Sequence, residues 1–219
     1  MVRKLTLAMA LSLSVCGATT VKFTHVPSSS DYGTYNGFSI ATVAGIPNQL
    51  LMCNDPVDTT YMPSSELTYD VIRFDGENTD HFMYGKTPDG PTVYKEAAVL
   101  LYWFVNAGGM SLTDAVIANY QYAIWHLTAP GHPSGQTAGE QTLQNNALDM
   151  VQSHDPAVLA LLAPIYSSML VYTPVGQSIG NQEFLQYSAP EPGTRWLLAW
   201  ALGIGGVVMA FRRLRRPAR

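Results

Sequence analysis

Residues 91–107, PTVYKEAAVLLYWFVNA, followed by Gly108 and Gly109, divide the chain into two kinds of sequence. Proline suits the first turn of a helix, where its missing N–H costs nothing, and paired glycines end one, so the stretch reads as a helix with defined ends. Residues 97–105 are apolar without a break. Such a helix has no polar face to offer water, needs protein on most sides, and is too short to span a bilayer. Before it lie short β-prone runs at 37–43 (GFSIATV), 49–53 (QLLMC) and 67–74 (LTYDVIRF), separated by Gly, Pro, Asn and Asp. After it, a second helix is expected from a Ser111 or Thr113 cap to about Leu127, and a third over 139–153. Asp155-Pro156 opens a short apolar segment interrupted at Pro164, which predicts one or two helical turns. Strand patterns return at 169–173 (MLVYT) and 183–187 (EFLQY). The order strands, helices, strands predicts an α+β domain, an antiparallel β unit of barrel or sandwich type interrupted by a block of about three helices.

Both ends carry processing signals. Arg3 and Lys4, the apolar run 5–15 and the small residues Gly17, Ala18 and Thr19 follow the plan of a secretory signal peptide, with cleavage expected near Ala18 and a domain over 19–187. A lipoprotein reading of Leu13-Ser14-Val15-Cys16 is disfavoured by the bulk of Val15. At the other end, Pro190-Glu191-Pro192 precedes an uncharged run, 196–211, and then Arg212, Arg213, Arg215, Arg216 and Arg219. As a helix that run measures roughly 24 Å, so a C-terminal transmembrane helix with a cytoplasmic arginine cluster is expected. The tail over 188–219 resembles the PEP-CTERM sorting signal of Gram-negative bacteria. The resemblance implies recognition and removal by an exosortase-type membrane protease at Pro190, Glu191 and Pro192, often in organisms that make exopolysaccharide. It also implies an exported protein, held at the inner membrane by a single C-terminal pass and then placed at the cell surface or outside the cell.

Leaving out the signal peptide and the segment from Arg195 onward keeps Lys22, Arg73, Lys86 and Lys95 against all 16 acidic residues, which lie between Asp31 and Glu191. A domain so acidic repels nucleic acid and anionic membrane. Of the two cysteines only Cys53 remains, so no intramolecular disulfide can form. On the second helix, Gln121 shares a face with Ile117, Ala118, Ile124 and Trp125, while Asn119 and His126 fall elsewhere. The glutamine therefore faces the core, where an unpaired carboxamide costs on the order of 1 to 3 kcal/mol, and something must meet it.

Met52-Cys53-Asn54-Asp55 and Tyr120-Gln121-Tyr122-Ala123-Ile124-Trp125 together resemble the thioester domain of Gram-positive surface adhesins. Gln121, Ala123, Ile124 and Trp125 match that family's later motif, whereas Met52, Asn54 and Tyr120 depart from its usual residues. The resemblance implies that the Cys53 and Gln121 side chains condense with loss of ammonia, and that a nucleophile on a partner, typically a lysine amine, opens the thioester and becomes attached; the partners expected are a surface protein amine or exopolysaccharide. Attachment of this kind is not turnover, and no cofactor or metal is expected. A buried thiol beside a hydrogen-bonded glutamine, on a non-covalent surface scaffold, would satisfy the same residues.

A third reading is a cysteine-dependent hydrolase of envelope polymers, with Cys53 as nucleophile and His25, His81, His126, His132 or His154 as base. Nothing local selects a histidine. His126 and His132 lack a second ligand pair, and 75–80 (DGENTD) lacks the spacing of a calcium loop, so a solvated turn is expected there.

Overall fold

The computed structural model describes residues 17–25, 38–57, 64–130, 135–175 and 182–188. Six strands, β1 (Gly17–His25), β2 (Phe38–Val43), β3 (Ile46–Cys53), β4 (Leu67–Arg73), β5 (Met169–Pro174) and β6 (Phe184–Tyr187), close a barrel in the order β1-β2-β3-β6-β5-β4. Every pairing is antiparallel. Between β4 and β5 run four helices: α1 (Gly90–Asn106), α2 (Asp114–Thr128), α3 (Ala138–Val151) and α4 (Pro156–Ser167).

Strand alternation sorts the side chains into two cores. Val21, Phe23, Ala41, Leu51, Cys53, Tyr69, Tyr172 and Phe184 form one, joined by Tyr122 and Trp125 from α2. The neighbouring positions Met52, Ile72, Val171 and Leu185 belong to the other, which they share with all four helices. Helix α2 thus serves both, and Tyr120 through Trp125 are buried without interruption. Helix α1 is buried along 96–101 and at Phe104, as its unbroken apolar run requires, and packs on the other three helices and on β6. It begins in a close approach of backbone to backbone. A Cβ on Gly85 would lie 1.8 Å from the Thr79 carbonyl, so only glycine lets the 79–85 turn fold under the helix start.

The sequence-based expectations are met in their main lines and fail in particulars. Strand β1 was not anticipated, although Val21 and Phe23 are buried and Lys22 and Thr24 exposed in strict alternation. Helix α4 runs 12 residues straight through Pro164. Only one turn follows the proline, and its carbonyl accepts from the Ser167 and Ser168 hydroxyls at 3.1 and 2.6 Å. The 75–80 segment is the expected turn, with Asp75 Oδ1 accepting from the Glu77 and Asn78 amides at 2.9 and 2.8 Å.

The expected transmembrane component of the fold is corrected. No helix among the described residues is long and apolar enough to cross a membrane. The longest, α1, has 17 residues and carries Lys95 and Glu96. Residues 196–211, with Pro190, Glu191 and Pro192, lie outside the described residues, as do residues 1–16 of the expected signal peptide. The fold is a closed barrel with four helices. Inner-membrane anchoring by a single pass, the membrane as a partner and the exosortase-type protease therefore have no support in it.

Two outcomes are expected from this packing. Leu101→Ala or Phe104→Ala empties space at the centre of the helical core and should cost about 2 to 5 kcal/mol in urea unfolding. The second concerns Glu96, 6% exposed on α1. Burial pushes its carboxyl up to about 7, from 4.5, so the folded protein keeps a proton that the unfolded chain releases. This group's contribution is therefore fully present below the lower value and is lost as pH rises through the upper one. Glu96→Gln should flatten that part of the stability profile and raise Tm at about pH 8, as thermal melts across the range will register.

Candidate functional site

Strand β3 ends by driving three consecutive residues, Cys53, Asn54 and Asp55, into the interior, at 5%, 0% and 0% exposure. Cys53 pairs with Phe184 of β6, and its carbonyl is left to α2. Gln121 Nε2 donates to it at 2.5 Å, and Trp125 Nε1, one turn further along the same helix face, donates to it at 3.0 Å. The structure therefore brings together the two residues singled out from sequence. Gln121 is fully buried, and among the described residues its Oε1 has no hydrogen-bond donor. One turn later Thr128 Oγ1 donates to the Asn54 carbonyl at 2.7 Å, so α2 grips the strand end at three points.

The Cys53 thiol donates to the Asp55 carbonyl at 3.1 Å. Burial pushes it up to about 12, helped by the charges of Asp55 and Glu183 and opposed by hydrogen bonds from the Asp55 backbone and the Trp125 side chain. At neutral pH the sulfur is a protonated thiol and not a preformed thiolate.

Behind it stands a polar cluster that sequence reasoning missed. Glu183 is fully buried. Its Oε1 accepts from Asn54 Nδ2 at 2.5 Å and from the Tyr94 hydroxyl of α1, and its Oε2 from the Met83 amide and Thr173 Oγ1, both at 2.9 Å. Desolvation still holds its carboxyl above the usual range. Asp55 Oδ1 accepts from the Tyr84 hydroxyl at 2.6 Å and the Val57 amide at 2.9 Å, and Gln182 Nε2 donates to the Asp55 carbonyl at 2.7 Å. A glutamate heading a strand pattern carries no local signature of this. Its partners come from four separate places in the chain, Asn54, Met83, Tyr94 and Thr173, and only the closed barrel assembles them.

The hydrolase reading requires a histidine on the sulfur. His126 instead turns its Nδ1 to the Tyr122 carbonyl at 2.8 Å and lies 3.6 Å from Glu140. His81 and His154 are exposed; His132 and the side chain of His25 fall outside the described residues. Among the described residues no group of three or more His, Cys, Asp or Glu side chains could hold a metal ion.

No protein-family model matches the chain, residues 188–219 included, and no characterised protein matches it in sequence. Two solved structures are similar to it. The N-terminal thioester domain of the fibronectin-binding protein SfbI from Streptococcus pyogenes is 15% identical, with 78% of this chain and 94% of that one covered and a TM-score of 0.44. The N-terminal domain of the Streptococcus pyogenes pilus tip adhesin Cpa is 14% identical, covering 78% and 93%, also at 0.44. Both likenesses are distant.

The cluster yields a stability test. Glu183→Ala strands several buried donors and should cost about 2 to 5 kcal/mol, whereas Glu183→Gln, which keeps an acceptor oxygen, should cost much less. Denaturant midpoints of the two variants measure the difference.

Proposed function

We propose that this domain forms an internal thioester between Cys53 and Gln121 and uses it to attach covalently to a primary amine on a partner. The observation that carries the reading is the contact itself: the Gln121 carboxamide is held on the backbone of Cys53 at 2.5 Å, with both residues buried. Condensation forms a bond from Sγ to the Gln121 acyl carbon and breaks its bond to Nε2. The nitrogen leaves as ammonia, taking the thiol proton. A partner amine then adds to the same carbon, and the sulfur departs and is reprotonated.

The state of the carboxamide favours this chemistry. A buried amide oxygen without a donor costs about 1 to 3 kcal/mol. A thioester carbonyl is a weaker acceptor and loses less in the same place, so condensation relieves part of that cost. Trp125, Tyr122 and Phe184 pack around the thiol and keep out the water that would hydrolyse the acyl–sulfur bond. A thiol held near 12 also resists oxidation and adventitious alkylation while it waits.

Intact mass of the purified protein tests the reading. The wild type should be lighter than its sequence by one ammonia and should gain the mass of methylamine on incubation with it. Cys53→Ala and Gln121→Ala should each carry their full sequence mass and take up no amine. A wild-type protein of full sequence mass, unreactive to methylamine, ends the proposal.

A further inference from the structure

Condensation at Cys53 removes a hydrogen bond as well as making a covalent one. Two side chains of α2 donate to the Cys53 main-chain carbonyl, Gln121 Nε2 at 2.5 Å and Trp125 Nε1 at 3.0 Å. The first of these donors is the nitrogen that departs as ammonia. The carbonyl has little freedom to turn toward water in compensation. Cys53 is 5% exposed, Asn54 and Asp55 after it are fully buried, and Thr128 Oγ1 holds the next carbonyl, that of Asn54, at 2.7 Å. The indole is placed as firmly. Trp125 is 4% exposed and stands edge-on against Tyr122, with ring centroids 5.3 Å apart at 87°, and one helical turn separates it from Gln121 on the same face of α2.

Resting on the thioester reading, we propose that Trp125 is a positioning residue whose indole N–H keeps the Cys53 carbonyl paired after Gln121 Nε2 has left, and so sets how far the condensation runs. As Sγ bonds to the Gln121 acyl carbon, the bond from that carbon to Nε2 breaks and the nitrogen leaves with the thiol proton. In reverse, ammonia adds to the acyl carbon, the sulfur departs and takes up a proton, and the restored Nε2–H returns to the carbonyl. The amide state therefore gives the carbonyl two side-chain donors, and either can satisfy it. The thioester state leaves it Trp125. Without the indole N–H a buried acceptor would lose both, which disfavours the thioester and not the amide.

A hydrophobic wall would act differently. A ring that only excludes water alters the rate of hydrolysis and leaves the balance between thioester and amide where it was. An N–H needed by one of the two states shifts that balance and leaves the unreacted fold intact.

The test places 3-benzothienylalanine at position 125 of the full-length chain, which keeps the bicyclic shape and exchanges the N–H for sulfur. Fluorotryptophan at the same position keeps the N–H and serves as the rescue. Each protein is held at a series of ammonium chloride concentrations until the ratio of the two forms is stationary, and intact mass reads that ratio, since the forms differ by one ammonia. The isostere should reach equal amounts of the two forms at an ammonium concentration about 5- to 150-fold below that of the wild type, and fluorotryptophan should restore the wild-type balance. Thermal melts in a Cys53→Ala background, where no thioester can form, should be alike for all three. Naphthylalanine is a second N–H-free bicycle should the first fail to fold. A folded N–H-free variant with the wild-type balance overturns the inference and leaves the thioester standing. Loss of the fold in both N–H-free variants overturns it too, because Gln121 alone should hold the unreacted joint. A wild type without the ammonia deficit ends the thioester reading itself, and this inference with it.

Discussion

One oxygen, the main-chain carbonyl of Cys53, couples the barrel to the helices at the candidate site. In the interior of a sheet such a carbonyl bonds to the next strand; here it accepts from Gln121 and Trp125 of α2 instead. The substitution satisfies a backbone acceptor that would otherwise be buried and unpaired. It also explains why α2 is buried from Tyr120 to Trp125, because a helix that replaces a strand partner must come as close as one. Met52 on one side of Cys53 then belongs to the helical core, and Cys53 to the barrel core.

Around this joint the protein accepts an expensive interior. Two carboxyl groups, Asp55 and Glu183, lie fully buried within three residues or one strand pairing of Cys53. What makes Glu183 tolerable is four donors from β5, α1, the 83–84 turn and Asn54, which is also why those elements meet where they do. The same charges weaken the thiol as an acid. The sulfur is thereby kept as a buried, protonated thiol, the starting state that the proposed condensation with Gln121 requires.

How much of this could be read from the chain follows from where each signal resides. Periodicity and punctuation are local, so α1, α2, α3 and five strands were legible, as was the inward face of Gln121. Strand β1 was overlooked because its alternating residues follow directly on a segment that reads as a signal peptide. Pro164 was weighed as a breaker because its neighbours' hydroxyl bonds cannot be seen in one dimension. The pairing of Cys53 with Gln121 came from motif resemblance, not from periodicity. Glu183 remained invisible, since its meaning lies wholly in contacts with residues distant in sequence.

Closure of the barrel has a consequence for time. The end of β3 is completed by β6, and the Asn54–Glu183 bond joins residues 129 positions apart. Ordering a loop of that size costs entropy before the final contacts return anything, so such contacts form late. Cys53 therefore leaves the ribosome early and waits as an ordinary solvated thiol until nearly the whole domain exists. Its shelter from oxidants and stray disulfide partners begins only when the last strand docks. The hazard this cysteine faces is set by the speed of folding, and the stability of the finished structure does nothing to shorten it.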